Sequence, residues 1–373
     1  MTPANPRGLR LPAAVFLSAF LLFQVQPIAA RYLLPWFGGS PAVWTTCLLF
    51  FQAALLCGYL YAHWLGSRPS ARFQSSVHIA LLAGSLLLLP IAPGAIWKPS
   101  SSADPSGKIL LLLTATVGGP YFLLSATAPL LQRWFNREGK SPWRLYALSN
   151  FGSFLALLSY PFAVEPFLRL RTQTWIWSGL YVLFAALCGW TAWRIRPVAA
   201  MAAPAPENIF EKAADSKPPG LWKILFWLGL SAAGSTLLLA TTNQISQEIA
   251  VNPFLWIVPL SVYLLTFVLT FENERWYRRG LFGALAGLLA AVACAVNGAA
   301  IAVSLWVQIL VYVAALFAAC MVCNGELVRS RPAPERLTGF YLTVAAGGVL
   351  GGIFAALIAP HVFIEYVEYP IGL

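Results

Sequence analysis

Charge is what this sequence has least of. Only 10% of its residues are charged while 59% are apolar, whereas soluble domains carry roughly a quarter charged residues. Too little polar surface remains to cover a water-soluble globule, and the mean hydropathy of +0.71 agrees. The 373 residues would suffice for two or three soluble domains, but no segment has that composition. Acids are scarcer than bases, and the net charge of +11 raises the question of nucleic acid. The distribution excludes it: Lys and Arg fall in short loops between apolar runs, with no basic face. Cysteine is absent from every loop where an oxidising compartment would pair it; Cys47, Cys57, Cys188, Cys294, Cys320 and Cys323 all lie in or beside apolar runs. Cys320 and Cys323 form a C-x-x-C without the second Cys or His pair of a zinc site. H-E-x-x-H, Walker, G-x-S-x-G and dinucleotide motifs are missing too. No cofactor or metal site is visible, and the chain by itself leans away from being an enzyme.

What is present is a succession of long apolar runs. A bilayer core of about 30 Å needs about 20 apolar residues per helix. Such runs predict helices near 11–30, 42–65, 77–97, 108–135, 143–166 and 173–195, then 221–247, 252–271, 279–297, 300–324 and 336–363. The first run passes through the loosely cleavage-like Ile28-Ala29-Ala30 and on to Arg31, Leu33 and Pro35, so it reads as a membrane helix. With the N-terminus cytoplasmic, the inside segments hold nineteen of the 24 basic residues and the outside segments hold Arg31, Lys98, Lys108, Arg169 and Arg171. Omitting one helix would invert the alternation downstream, so this asymmetry supports both count and orientation. The longest polar interruption, 197–220, is rich in Ala and Pro with mixed charges and reads as a flexible cytoplasmic linker. It divides the chain into a six-helix bundle, 1–196, and a five-helix bundle, 221–373.

Two segments recur across that linker. Ser40-Pro41-Ala42-Val43-Trp44 opens the second helix and Asn252-Pro253-Phe254-Leu255-Trp256 the eighth. Tyr146 to Leu155 in the fifth helix, with Gly152-Ser153, parallels Tyr341 to Leu350 in the eleventh, with Gly347-Gly348; each follows an Arg-Leu pair. An interval of six helices in both cases is the pattern of a duplicated six-helix unit, as in major facilitator transporters. The expected fold is therefore all-α, with about eleven transmembrane helices in two pseudo-repeated bundles. A twelfth helix would be missing, and Glu365 to Leu373 would be its approach.

Polar groups inside a membrane are costly and mark function or helix contacts. The first helix carries Gln24, Gln26 and Arg31, with Gln24 and Arg31 on one face. The seventh, its counterpart, carries Asn243, Gln244 and Glu248, with Gln244 and Glu248 on one face. A cavity edged by Arg31 and Glu248 would suit a small polar or zwitterionic solute; the competing reading is interhelical hydrogen bonding. Asn150, with Ser149 and the more distant Glu165, is a weaker set in the fifth helix. Glu326 is expected to form a solvated ion pair with Arg329 or Arg331. Gly347-Gly348 and Gly351-Gly352 follow no strand and read as small-xxx-small packing rather than a phosphate loop.

Several segments also resemble a known family. Gln26 through Trp44, then Phe50-Phe51-Gln52, Gly58 through His63, Leu145 through Ser153, Cys323-Asn324-Gly325-Glu326-Leu327, Phe340 through Gly352 and Glu368-Tyr369-Pro370 are similar to the membrane region of bacterial fused spermidine-synthase-like proteins. The resemblance implies a major-facilitator-like membrane domain ahead of a soluble aminopropyltransferase-like domain of Rossmann type. That second domain would pass an aminopropyl group from decarboxylated S-adenosylmethionine to a polyamine. The present chain has neither its glycine-rich loop nor its substrate-holding acids. Asn324 stands where the family's segment implies a histidine, which argues against proton handling there. Two functions follow: a module of a bacterial inner membrane that transports or senses a polyamine or other small polar solute, or an anchor for an aminopropyltransferase-like partner domain. A catalytically silent remnant is the third reading.

Overall fold

The computed structural model describes residues 6–38, 41–98, 106–136, 143–201, 219–248, 257–298, 304–332 and 336–362. Among them every regular element is helical. Eleven spans follow in the order of the apolar runs. The first six are α1 (Pro6–Phe37), α2 (Pro41–Gly66), α3 (Ala71–Ser85), α4 (Ser106–Leu113 and Gly119–Asn136, joined by a π turn at Thr114–Gly118), α5 (Trp143–Ser159) and α6 (Leu170–Met201). The others are α7 (Leu221–Glu248), α8 (Ile257–Glu272), α9 (Arg279–Gly298), α10 (Leu305–Arg329) and α11 (Leu337–Ile353). Nine of these spans are long and apolar enough to cross a membrane, and α5 and α8 are shorter apolar helices.

Two helices depart from their expected bounds for local reasons. The third helix begins at Ala71, not near 77, because Ser70 caps it, its hydroxyl accepting from the Phe73 amide. It ends early as well: a 3-10 turn, Leu86–Leu88, leads to extended Leu89 before Pro90. The first helix instead runs past residue 30 to Phe37, carrying Pro27 and Pro35 inside it. Gly38 then turns the chain at φ +79°, a conformation glycine adopts without penalty. Most of the 197–220 linker, and residues 363–373, lie outside the described residues.

The internal repeat is visible in the packing. Gly152 of α5 lies against the Phe16 carbonyl of α1; a Cβ there would be 2.9 Å from that oxygen. Its sequence counterpart, Gly347 of α11, lies against the Leu228 carbonyl of α7, where a Cβ would be 2.5 Å away. Gly351, one turn on, meets the Ala232 carbonyl. Small-xxx-small spacing thus brings α11 onto α7 as glycine at i and i+4 should. The inter-half contacts repeat too: α2 packs on α11, and α5 packs on α8. In the first half α3 packs on α6; its counterpart α9 packs on α10, and only 6% of the α9 span is buried.

Candidate functional site

α1 presents two polar faces to two different neighbours. On one face, the Gln24 amide donates to Ser159 Oγ of α5 at 3.2 Å. Arg31, two turns on, forms an ion pair with Glu165 at 2.9 Å. The Gln24–Arg31 face expected from the sequence therefore exists, but it is covered by α5 and the turn beyond it. Burial raises the Glu165 carboxyl above the usual range, and the adjacent Arg31 guanidinium offsets part of that shift. Arg31 thus finds its acid within the first half.

The other face of α1 turns toward α2 and α4. Gln26, buried, donates to the Tyr121 hydroxyl of α4 at 3.4 Å. Gln26 and Ala30 line a small pocket with Trp44, Cys47, Leu48 and Phe51 of α2. The Phe51 ring lies 5.0 Å from the Tyr121 ring. One amide and two aromatic side chains thus line the pocket, and the Tyr121 phenol is bonded to that amide. The free space is about that of one water, so α1 and α2 are closed on each other.

The next stripe of α2 reaches the second half. Thr45 donates to Asn243 Oδ1 of α7 at 3.1 Å, and the Gln52 amide donates to Ser235 Oγ at 2.8 Å. Thr45 and Gln52 are two turns apart on one face, as are Asn243 and Ser235 on an antiparallel neighbour. Gly352 of α11 lies directly on Gln52. Further along α2, the Tyr59 ring sits 6.4 Å from the Tyr341 ring of α11. One helix is thus joined to the other half along most of its length.

The remaining predicted residues go elsewhere. Gln244 donates to Asn297 of α9 at 2.9 Å, so it is not brought to Arg31. Asn150 lies a half-turn of α5 from Gly152, and its amide nitrogen is buried without a hydrogen-bond partner among the described residues. The Glu248 side chain lies outside the described residues. Glu326 does not pair with Arg329 or Arg331: it accepts from Tyr277 at 2.8 Å and from Arg279 Nε at 3.1 Å, while Arg331 binds Glu274. The cause is Gly325, whose missing side chain lets the Tyr277 ring lie on α10 and bring the α8–α9 loop over Glu326. Burial and the Glu326 carboxylate push the Tyr277 phenol up, so it remains a donor. Asn324 donates to Thr266 of α8 at 2.9 Å, a helix–helix bond.

Sequence reading missed Tyr121, Phe51 and the Thr45–Gln52 stripe as site elements. Trp44 entered through the internal repeat and the family resemblance, and Gln52 only through the resemblance. A lone amide deep in an apolar run was the signal for Gln52; nothing local distinguishes Tyr121.

No family model matches the sequence, and a search of curated proteins found no match. Solved structures do match. The chain is similar to the xylose transporter XylE from E. coli in a partially occluded inward-open conformation, at 14% identity, covering 98% of this chain and 94% of that one, with a TM-score of 0.58. It is also similar to a D-xylose-proton symporter, at 15% identity and TM-score 0.54 over 98% and 95% of the two chains. A POT family transporter, PepTSo, matches at 17% identity and TM-score 0.53, over 99% and 92%. XylE is described as a major facilitator superfamily protein. The fold is that of major facilitator transporters, and the chain is a multi-pass membrane protein.

Proposed function

We propose that this chain is a transporter-type module whose cargo is a small, uncharged polar solute, with 1–196 and 221–373 as its halves. The observation that carries this reading is the Gln26–Tyr121 hydrogen bond beside a small pocket that Gln26 lines together with Trp44 and Phe51. A pocket this tight takes a solute only when α1 and α2 part. The contacts that hold α2 to the other half are neutral hydrogen bonds and ring contacts; interhelical hydrogen bonds in membranes are worth about 0.6 kcal/mol each on average. They are cheap to break and remake. Xylose, named for two of the similar structures, is a solute of this class.

A polyamine, implied by the family resemblance, is the narrower form of the proposal and fits the described lining less well. Its ammonium groups need carboxylates to replace lost water. Within residues 1–201 the acids are Asp104, Glu138 and Glu165. Asp104 and Glu138 lie outside the described residues, and Glu165 is held by Arg31. The excess of basic residues on one side favours a bacterial inner membrane with the N-terminus in the cytoplasm.

The test is counterflow in proteoliposomes with a radiolabelled pentose, a polyol and spermidine. Accumulation of a neutral solute, lost in Gln26→Ala and reduced in Tyr121→Phe, supports the proposal. Uptake of spermidine alone, lost in Glu248→Gln, would replace the cargo. No uptake, with no thermal stabilisation by any of the three, would leave the anchor for an aminopropyltransferase-like domain as the better reading.

A further inference from the structure

His78 belongs to none of the features above. It lies two turns into α3 and is fully buried. Its Nδ1 is 3.3 Å from the Tyr61 hydroxyl of α2, and the two rings stack at 6.0 Å. The Trp134 ring, from α4, packs perpendicular to it with the ring centres 6.4 Å apart. Its Nε2 is buried with no hydrogen-bond partner among the described residues. One turn earlier on the same face, Gln74 accepts from Trp134 Nε1 at 2.8 Å and donates to the Arg68 carbonyl at 2.5 Å. Polar groups therefore lead from His78 to the loop that ends α2.

A neutral imidazole offers one donor and one acceptor. With Tyr61 at Nδ1, either tautomer leaves Nε2 unsatisfied, and a buried orphan of this kind has a cost. An ionisable group inside a membrane bundle is a functional-site hypothesis by default. The titratable or charged groups that the neighbouring helices bring toward it are Tyr61 and His63 from α2, Arg133 from α4, and Tyr181 and Cys188 from α6; Arg72 is on α3 itself. None is an acid, and α2, α3, α4 and α6 contain no Asp or Glu at all. Among the described residues an imidazolium here would have no counter-ion.

We infer that His78 is a proton-binding switch: neutral, it lets α3 grip α2, and proton uptake at Nε2 releases that grip. The proton comes from water on the side of the Arg68 loop. It adds to the Nε2 lone pair of the tautomer whose Nδ1–H donates to Tyr61. The resulting cation, buried without a carboxylate, is relieved by admitting water or by moving α2 away. Tyr59 is two residues from Tyr61 and so lies on the opposite side of α2, its ring against Tyr341 of the second half. This turn of α2 is clamped between His78 and α11, so loosening one contact loosens the other. The inference deepens the transporter reading, since it supplies a control on closure, but its first readout does not depend on transport.

The experiment is nitrogen NMR of histidine-labelled protein in nanodiscs. The chain has three histidines, and the His78 signal is the one lost in His78→Gln. The imidazole should gain a proton as the medium is acidified from about pH 8 to about pH 3, and Tyr61→Phe should change its tautomer ratio; the latter also assigns the signal should His78→Gln not fold. Hydrogen exchange of residues 57–66 should rise several-fold in acid relative to His78→Gln or, failing that, Tyr61→Phe at the same pH. A His78 signal unchanged over that range, or equal exchange in wild type and variant at every pH, would overturn the switch. Loss of the uptake result would leave both readouts standing.

Discussion

Replacing Gly347 with alanine tests the close approach of α7 and α11. The new Cβ would lie 2.5 Å from the Leu228 carbonyl oxygen and 2.8 Å from the Ser231 Cβ. Ordinary contact begins near 3.4 Å, so the two helices must part by about 0.9 Å, and the obstacle is backbone that cannot rotate aside. A gap of 0.5–1 Å forfeits a quarter to a half of each dispersion contact. The separation also stretches the Ser231 hydroxyl's bond to the Val344 carbonyl, 2.6 Å. Overpacking typically costs about 1–3 kcal/mol, against up to about 1 kcal/mol gained from alanine's helix propensity. A net loss of about 1–2 kcal/mol should lower the melting temperature by roughly 2–6 °C. A thiol-reactive dye suits the assay, because Cys47, Cys188, Cys320 and Cys323 are buried and become reactive on unfolding. Gly348→Ala is the matched control: its Cβ would meet nothing nearer than Ser231 Oγ at 3.9 Å, so it should be neutral or stabilising. Equal melting of the two variants would refute the reasoning.

Other consequences follow from the same contacts. A double-mutant cycle of Thr45→Val and Asn243→Ala, read by thermal unfolding, should show a coupling of about 0.6 kcal/mol and below 2; zero coupling would remove the inter-half hydrogen bond. Because the folded state raises the Glu165 carboxyl, its stabilising contribution is fully present below the ordinary pKa and is lost as pH rises through the raised one. Melting followed from about pH 4.5 upward should therefore fall more steeply in wild type than in Glu165→Gln, and parallel curves would contradict the shift. Gly325→Ala should push the Tyr277 ring off α10 and raise hydrogen exchange in residues 273–279, with unchanged exchange as the disproof. Trp177→Phe removes the indole bond to the Leu21 carbonyl, 2.9 Å, and should cost about 1 kcal/mol in the same melting assay.

The order of the helices and the duplicated plan were legible because each rests on local signals. An apolar run reports a span whatever surrounds it, and a glycine pair at four-residue spacing reports a helix that will be approached closely. That is why Gly152 and Gly347 could be matched from sequence and then found beneath the Phe16 and Leu228 carbonyls. Helix periodicity likewise placed Gln24 and Arg31 on one face. It could not say which helix that face meets, and the partner of Arg31 proved to be Glu165 rather than an acid of the second half. The same holds for Gln244: the period of α7 gives its direction relative to Glu248, while its bond to Asn297 depends on where α9 docks. A third helix beginning near 77 puts His78 at the membrane edge, where a histidine carries no signal. The Ser70 cap moves that start to Ala71 and carries His78 two turns inside.

These placements make α2 the element on which the proposed mechanism turns. Its successive faces meet α1 through Trp44 and Phe51, α7 through Thr45 and Gln52, α11 through Tyr59, and α3 through Tyr61. Alternating access by rocking one half against the other would break the contacts with α7 and α11 while α2 stays in the half of α1 and α3, loosening from α1 to admit a solute and from α3 on protonation of His78. Glycine is placed accordingly. The α7–α11 contact within the second half is fused by Gly347 and Gly351 at backbone distance, whereas α2 meets α7 through side-chain hydrogen bonds and α11 through paired tyrosines. The contact with α11 has one tight point, Gly352 under the Gln52 amide, and an amide can swing away where a carbonyl in a helix cannot. The chemistry of the α2 contacts thus separates what should stay together in transport from what should come apart. The pocket at Gln26 lies on the side that stays with α1, so a solute bound there would travel with the first half while the second half moves past it.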